Sequence, residues 1–466
     1  MIFNKREAEM SNTYNNLFKY EADVSNKESF PLALQHVIAM IAGCIAPPII
    51  LAGAIGLSAE DSTILVQMSL IGSALTTLLM LYPIGKIGSR LPMIYGVSFA
   101  YIPTMLALGG QYQDLGPKNI IAIILGAQLI GALASIIFGY GLKYILPYFP
   151  PLVSGTVVLC IGLSLYPVAI QNMGGGGDLT MAGWGSWQYW LVAVITLIAN
   201  IGFTHFGKGI SKLASVLLAM IVGYIVSFFF NMVDLSSVAT APMFSLIKPM
   251  HFGIRFNGSA IASFVIIFIV TAIEGIGDMS STTIGGMDRV PTDDELRGGI
   301  IGYGIANLVG TLIGTLPTAT FSQNAGIVSI NKVINKRVFT QAAMIILVAG
   351  LFPKLSAFLT SIPAPVIGGA TLSIFAAITM NGIRMIANQP LTLRNTSIVG
   401  VSVAIGFGFT TVVTAANAAG VSFMPNSLEV AIGASPVVLA AISAVLMNII
   451  IPEKEEDKQI GESLIG

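Results

Sequence analysis

Ile94-Tyr-Gly-Val-Ser-Phe-Ala-Tyr-Ile-Pro103 and Thr318-Ala-Thr-Phe-Ser-Gln-Asn-Ala-Gly-Ile-Val-Ser-Ile-Asn-Lys332 decide the fold. Both lie among apolar runs of roughly 20 residues, the length that crosses a hydrocarbon core of about 30 Å as helix. Neither is itself a clean crossing. The first follows Pro92 and is broken by Gly96 and Pro103; the second follows Pro317 and holds Gln323, Asn324 and Gly326. Unwound backbone inside a bilayer is tolerated only where protein or water satisfies its N–H and C=O groups. Both segments are therefore expected to face a polar cavity, with half-helix N-termini aimed at a ligand.

The surrounding chain is membrane-embedded by composition. Hydrophobic residues make up 55% and charged residues 9%, against about 25% charge in soluble proteins; mean hydropathy is +0.84. Apolar periodicity predicts an all-α polytopic protein with fourteen segments near 31–54, 63–84, 94–108, 119–142, 150–170, 187–205, 213–232, 260–279, 298–316, 320–334, 338–358, 363–383, 396–414 and 433–451. The broken segments are the third and the tenth. Short, Gly/Pro-interrupted segments at corresponding places of two halves point to an inverted-repeat transporter with a binding site at the midplane. Pro150-Pro-Leu-Val-Ser-Gly-Thr-Val-Val-Leu159 and Pro363-Ala-Pro-Val-Ile-Gly-Gly-Ala-Thr-Leu372, again seven segments apart, match at four of ten positions. The expected organisation is a tail over 1–29, a first repeat over 30–235, a second over 236–452 and a tail over 453–466.

Charge supports the segment count and the orientation together. With both termini cytoplasmic, eighteen of the 22 Lys and Arg fall on the cytoplasmic side, leaving Lys118, Lys248, Arg255 and Lys354 outside. The polar first 29 residues lack the apolar core and cleavage site of a signal peptide and are expected to be cytoplasmic and loosely ordered. Localisation is expected in the cell (inner or plasma) membrane. Cys44 and Cys160 both sit within apolar runs, so no disulfide framework or thiolate metal site is implied. Net charge is zero and no long basic run occurs, which argues against a nucleic-acid partner. Gly174-Gly-Gly-Gly177 has neither a preceding strand nor a following Gly-Lys-Ser/Thr and reads as an outer loop, not a phosphate cradle. No His-Glu-x-x-His, Gly-x-Ser-x-Gly or paired protease-type aspartates suggest an enzyme.

Glu274 ends a run from Ala260 to Ile273 that holds no other charge. An intramembrane carboxylate is costly and marks substrate or ion handling; the alternative is a salt-bridged or packing carboxylate. Asp278 follows by four residues, on the same face if the helix continues. A proton held by either would travel with a substrate; Asp278 reads equally as a solvated cap at the helix end. His36 in the first segment is either a relay to that carboxylate or a structural histidine. Phe99 and Phe321 hold similar places in the two breaks, where they would sandwich a flat ring or else pack in the core; Ser98, Ala100 and Ser322 adjoin them.

Thr271-Ala-Ile-Glu-Gly-Ile-Gly-Asp278, Asp293-Asp-Glu-Leu-Arg-Gly-Gly299 and Leu316–Lys332 resemble the nucleobase:cation symporter family, the nucleobase-ascorbate transporters. Its signature is Gln, Glu or Pro, then Asn, any residue, Gly, four residues, Thr, and Arg, Lys or Gly; Gln323, Asn324, Gly326 and Lys332 fit. Leu34-Gln-His-Val-Ile-Ala-Met40 is similar to the family's opening motif. The resemblance implies a seven-plus-seven inverted repeat in core and gate domains, with short strands in segments three and ten, a homodimer, and hydrogen bonds to the base from Glu274 and Gln323. Asn324 and Gly326 are implied as structural. A lactam edge presents N–H beside C=O; a carboxylate accepts the former, and an amide donates and accepts at once. Two positions depart from the pattern: Asn331 replaces the signature Thr, and Tyr303 stands where purine transporters carry an aspartate of the coupling route. Gln323 is closer to the xanthine and urate branch than to the uracil branch. The expected function is proton-coupled uptake of xanthine or uric acid, with Na⁺ as the other coupling ion and no cofactor. A uracil symporter and an anion transporter of the same fold are the alternatives; the latter needs a positive site, whereas Glu274 makes this one negative or neutral.

Overall fold

The computed structural model describes residues 16–181, 183–246, 248–422, 424–425, 428–429, 433 and 435–452. The expectations for 1–15 and for the acidic tail 453–466 lie outside the described residues. In chain order the elements are α1 (Asn26–Ile55), α2 (Ala59–Leu81), β1 (Tyr95–Val97), α3 (Ile102–Gln111), α4 (Pro117–Tyr140), α5 (Pro151–Met173), α6 (Trp187–Phe206), α7 (Ser215–Phe228), α8 (Gly258–Met287), α9 (Asp293–Ile313), β2 (Thr318–Thr320), α10 (Ser322–Asn331), α11 (Lys336–Gly350), α12 (Pro353–Thr360), α13 (Ala364–Ala387), α14 (Leu393–Ala418) and α15 (Pro436–Ile450). Helical turns of three to five residues between them are named by range where needed. Among the described residues nine helices are long and apolar enough to cross a membrane, ten if α11 and α12 count as one bent span; α7 and α15 are shorter apolar helices.

Three expectations are corrected. The segment at 338–358 is not one continuous helix, because α11 ends at Gly350 and α12 leaves at 84°. Pro353 has no N–H to continue the ladder, and Phe352 before it is extended (φ −107°, ψ 92°). Helix α8 continues to Met287, so Asp278 is a buried mid-helix residue and not a solvated cap. Residues 16–25 are tied down, not loose. The Asn335 amide donates to the carbonyls of Asn16, Lys19 and Ala22 at 2.8–3.1 Å. Ile334 and Asn335 N–H reach the Leu17 carbonyl, while Leu17 and Val24 are buried at 6% and 1% exposure.

Strands β1 and β2 pair antiparallel with Tyr95 opposite Thr320, Gly96 opposite Ala319 and Val97 opposite Thr318. The ladder is extended at both ends by Ser98 N–H to Pro317 O and Phe321 N–H to Ile94 O. A two-stranded ribbon in a membrane leaves each outer edge with unpaired groups that must be satisfied. Helix side chains do this. Thr77 of α2 accepts from Tyr95 N–H at 3.0 Å and donates to its carbonyl at 3.3 Å. Asn307 of α9 accepts from Thr318 N–H at 2.8 Å and donates to Thr318 O at 3.1 Å, so its amide imitates a third strand. Gly96 is required in β1: an added Cβ would stand 2.3 Å from the Phe321 ring and 2.6 Å from Cys44 Sγ.

The helices pack as two sets. One holds α1–α4 and α8–α11 with the strands; the other holds α5–α7 and α13–α15, centred on α5 against α13. There the backbones touch, since a Cβ on Gly162 would lie 2.5 Å from Thr379 N and one on Gly382 2.3 Å from Leu159 N. Small residues are what permit such approach where no hydrophobic drive exists between helices. The packing repeats along the chain. Contact of α4 with α9 is matched by α11 with α2, α4 with α8 by α11 with α1, α8 with α10 by α1 with α3, and α6 with α7 by α14 with α15. With α11 and α12 taken as one segment, every partner pair is related by a shift of seven.

Candidate functional site

A cavity of about 490 Å³ opens between the two sets, within the range of small-ligand sites. Its first wall is built from the middle of α8 (Glu274, Gly277, Asp278, Ser281) and from the two strand-to-helix junctions: Ser98, Phe99 and Ala100 after β1, and Thr320 to Gln323 with Gly326 around the start of α10. The second wall is α13, which presents Ile374, Ala377, Ile378, Asn381, Arg384 and Met385, with Ile161 of α5 beside it. A cleft of similar size, about 510 Å³, lies at the start of α2 against residues 236–248. It collects no intramembrane carboxylate, which is why the chemistry is placed in the former.

Spacing of four along α8 puts Glu274 and Asp278 one turn apart in the same cavity. Their bonding differs. Asp278 accepts short hydrogen bonds from the hydroxyls of Thr320 and Ser322, the latter at 2.8 Å, and so brackets the β2–α10 junction to α8. Glu274 and Gln323 line the cavity with no hydrogen-bond or ion-pair partner among the described residues. A polar side chain left without partners at a protein–cavity boundary is available to a ligand or to water. The first turn of α10 adds N–H groups that have no intrahelical acceptor, with no side-chain cap from Phe321.

The remaining expected site residues are placed as follows. Ser98 accepts from Ala100 N–H at 3.2 Å and shapes the turn into Phe99–Tyr101. Phe99 meets Phe375 of α13 edge-on at 5.1 Å. Phe321 lines the same cavity as Phe99, and its ring packs on Gly43 and Gly96. His36 is fully buried against Phe339 (4.7 Å between centroids), and its Nδ1 faces the Asn324 amide at 3.0 Å. It does not line the cavity and touches neither carboxylate. Asn324 also donates to the His36 carbonyl at 3.2 Å and thereby joins α10 to α1. Tyr303 sits one layer behind Glu274, its hydroxyl bonded to Tyr101 and, at 2.6 Å, to Thr271. The hydroxyls of Tyr101, Thr271 and Tyr303 thus cluster where the resemblance implies an aspartate. Asn331 ends α10 with its side chain accepting from Val333 N–H at 2.9 Å.

Sequence reading missed Asn307, Thr77, Thr320 and the α13 pair Asn381 and Arg384. The first three act on backbone or on Asp278 and carry no local signature. Arg384 falls just past the twelfth apolar segment as read from sequence, 363–383, and counts there as a cytoplasmic cation; the helix in fact continues through it to Ala387.

Two packed helix sets around a cavity, with a carboxylate in mid-helix α8 and an amide beside a backbone break both facing it, form the architecture of a membrane carrier. The permease-family model Xan_ur_permease matches residues 27–415. The chain belongs to this family, the nucleobase-ascorbate transporters. It is similar to the xanthine permease XanQ of Escherichia coli, 32% identical over 432 residues that cover 90% of each chain. It is also similar to the xanthine permease of Bacillus subtilis, 30% identical over 431 residues covering 91% of this chain and 93% of that one. The transmembrane domain of a cyanobacterial bicarbonate transporter, BicA, shares the fold at a TM-score of 0.55 and 15% identity, covering 90% of this chain and 97% of the other.

Proposed function

We propose that the protein is a nucleobase permease that takes up a purine base, xanthine or urate, together with a proton. The observation that carries this reading is the pair Glu274 and Gln323: both line one cavity and neither is occupied by the protein itself. A carboxylate accepts from ring N–H groups, while an amide donates to C=O and accepts from N–H, so the two together select a lactam edge. A proton on Glu274 would discharge the cavity as the base enters, which links the two fluxes. Na⁺ is the competing coupling ion. The likeness to named xanthine permeases supports the purine assignment over uracil, and the likeness to a bicarbonate carrier at 15% identity speaks for the fold alone.

The repeated packing supports a seven-plus-seven inverted repeat, with α1–α4 and α8–α11 as core and α5–α7 with α13–α15 as gate. A shift by an odd number of crossings reverses direction through the bilayer. The charge bias places the ends of α8, α10 and α13 on the cytoplasmic side, which is where the cavity runs, past Ser281 to Arg384. On the opposite side Phe99 meets Phe375 and Thr104 donates to Ser435 at 3.1 Å, two contacts across core and gate. We read this as an inward-open state of alternating access, in a multi-pass plasma-membrane protein with cytoplasmic termini. Helices α6 and α14 are the least buried of the long helices, at 22%, and offer gate surface for the homodimer implied by the family. Uptake of labelled xanthine, urate and uracil by proteoliposomes tests the cargo. Saturable xanthine or urate flux is expected, and flux of uracil alone would overturn the purine reading.

A further inference from the structure

The cavity's two walls are chemically unlike. The wall formed by α8 and the strand junctions is acidic, with Glu274 and Asp278, whereas α13 contributes one amide and one cation, Asn381 and Arg384, three residues apart and therefore on one helix face. The side chains of Arg384 and Asn381 have no ion-pair or hydrogen-bond partner among the described residues. Arg289 is engaged with Glu295, Lys332 with Asp288, Arg337 with Asp23, and Arg394 with Ile451 and Asn448; Lys86, Lys143, Lys208 and Lys212 have no ion pair among the described residues either, and what sets Arg384 apart is that it is the basic residue lining this cavity. Both walls line one cavity, so a ligand held by Glu274 and Gln323 would have α13 as its other neighbour.

We propose that Asn381 and Arg384 are the second half of the ligand site and that Arg384 selects bases carrying oxygen on the edge remote from Glu274. Its planar fork gives two N–H donors to one carbonyl or enolate oxygen, which a lysine point charge does not reproduce. Urate, an oxopurine anion at neutral pH with a carbonyl on each ring edge, is the strongest fit. Hypoxanthine, which has a single carbonyl, gains nothing from α13. Because α13 belongs to the other helix set, the same contact makes closure over the cavity depend on the cargo: a base that bridges both walls draws core and gate together.

This rests on the purine reading, so the experiment separates the two. Uptake into proteoliposomes is measured for urate, xanthine and hypoxanthine with the full-length protein, R384Q, R384K and N381A, each checked for a monodisperse profile in detergent. Loss of a charge-assisted hydrogen bond corresponds to about a 10- to 100-fold change in apparent affinity. R384Q is expected to raise the KM for urate by that factor and leave hypoxanthine within about twofold; R384K is expected to recover part of the urate affinity, and N381A to lie between. Equal loss for all three bases, or an unchanged urate KM in R384Q, would overturn the assignment while leaving the purine reading intact. Absence of flux for every base in the unmodified protein would remove the purine reading itself.

Discussion

Asn307 shows how one side chain fixes the site at a distance. Its amide satisfies both backbone groups of Thr318 and donates to Tyr303 O at 2.9 Å. Asn307→Ala leaves a buried N–H and a buried C=O without partners, at about 1–3 kcal/mol each. The expected result is a lower melting temperature in detergent and loss of uptake, and an unchanged melting temperature would contradict the strand-mimic role. Gly96→Val drives a side chain into the Phe321 ring, and such overpacking costs about 1–3 kcal/mol; normal stability of the purified variant would show that the ring is not held there. At Gln323, a change to Glu removes the donor half of the amide, so preference should shift among xanthine, urate and uracil. An identical competition profile would exclude direct contact. At this scale the sequence was readable where a residue is costly in lipid, as with Glu274. It was silent where a residue serves the backbone, because Thr77 and Asn307 look like ordinary helix polar residues until the strands are paired.

Among the elements, the two interrupted segments were legible because Gly and Pro report backbone that cannot be regular helix. The break within 338–358 carried the same Pro signal at Pro353 but was hidden by continuous hydrophobicity on both sides. The docked segment 16–25 had no readable signal, since its partners Ile334 to Arg337 lie more than 300 residues away. That docking holds the link between α10, which bears Gln323, and α11. Asn335→Ala removes three donor contacts to it. Hydrogen exchange at residues 17–24 should then accelerate by about tenfold or more, following about 1–3 kcal/mol of lost stabilisation; unaltered exchange would mean that Leu17 and Val24 packing alone secures the segment.

For the whole molecule, apolar runs made most of the helices legible, whereas the division into two sets emerged only from packing, because most segments are apolar on nearly all sides and show little amphipathic stripe to reveal a neighbour. The family resemblance implies Gln323 as a ligand residue; the structure adds that Phe321, which lines the same cavity, packs on Gly43 and Gly96. The cavity lies across the seam between the sets, with Glu274 and Asp278 on one wall and Arg384 on the other, so in the proposed mechanism substrate and coupling ion would meet where the sets move. The central claim is that Glu274 links proton entry to base accumulation. Its most direct test is labelled xanthine or urate uptake into proteoliposomes under an imposed inward proton gradient, for the unmodified protein and for Glu274→Gln. Accumulation above equilibrium by the former, collapsed by a protonophore and absent in an intact, inserted variant, is the predicted result. Proton-driven accumulation that survives Glu274→Gln, or accumulation that requires Na⁺ and ignores the proton gradient, would contradict it.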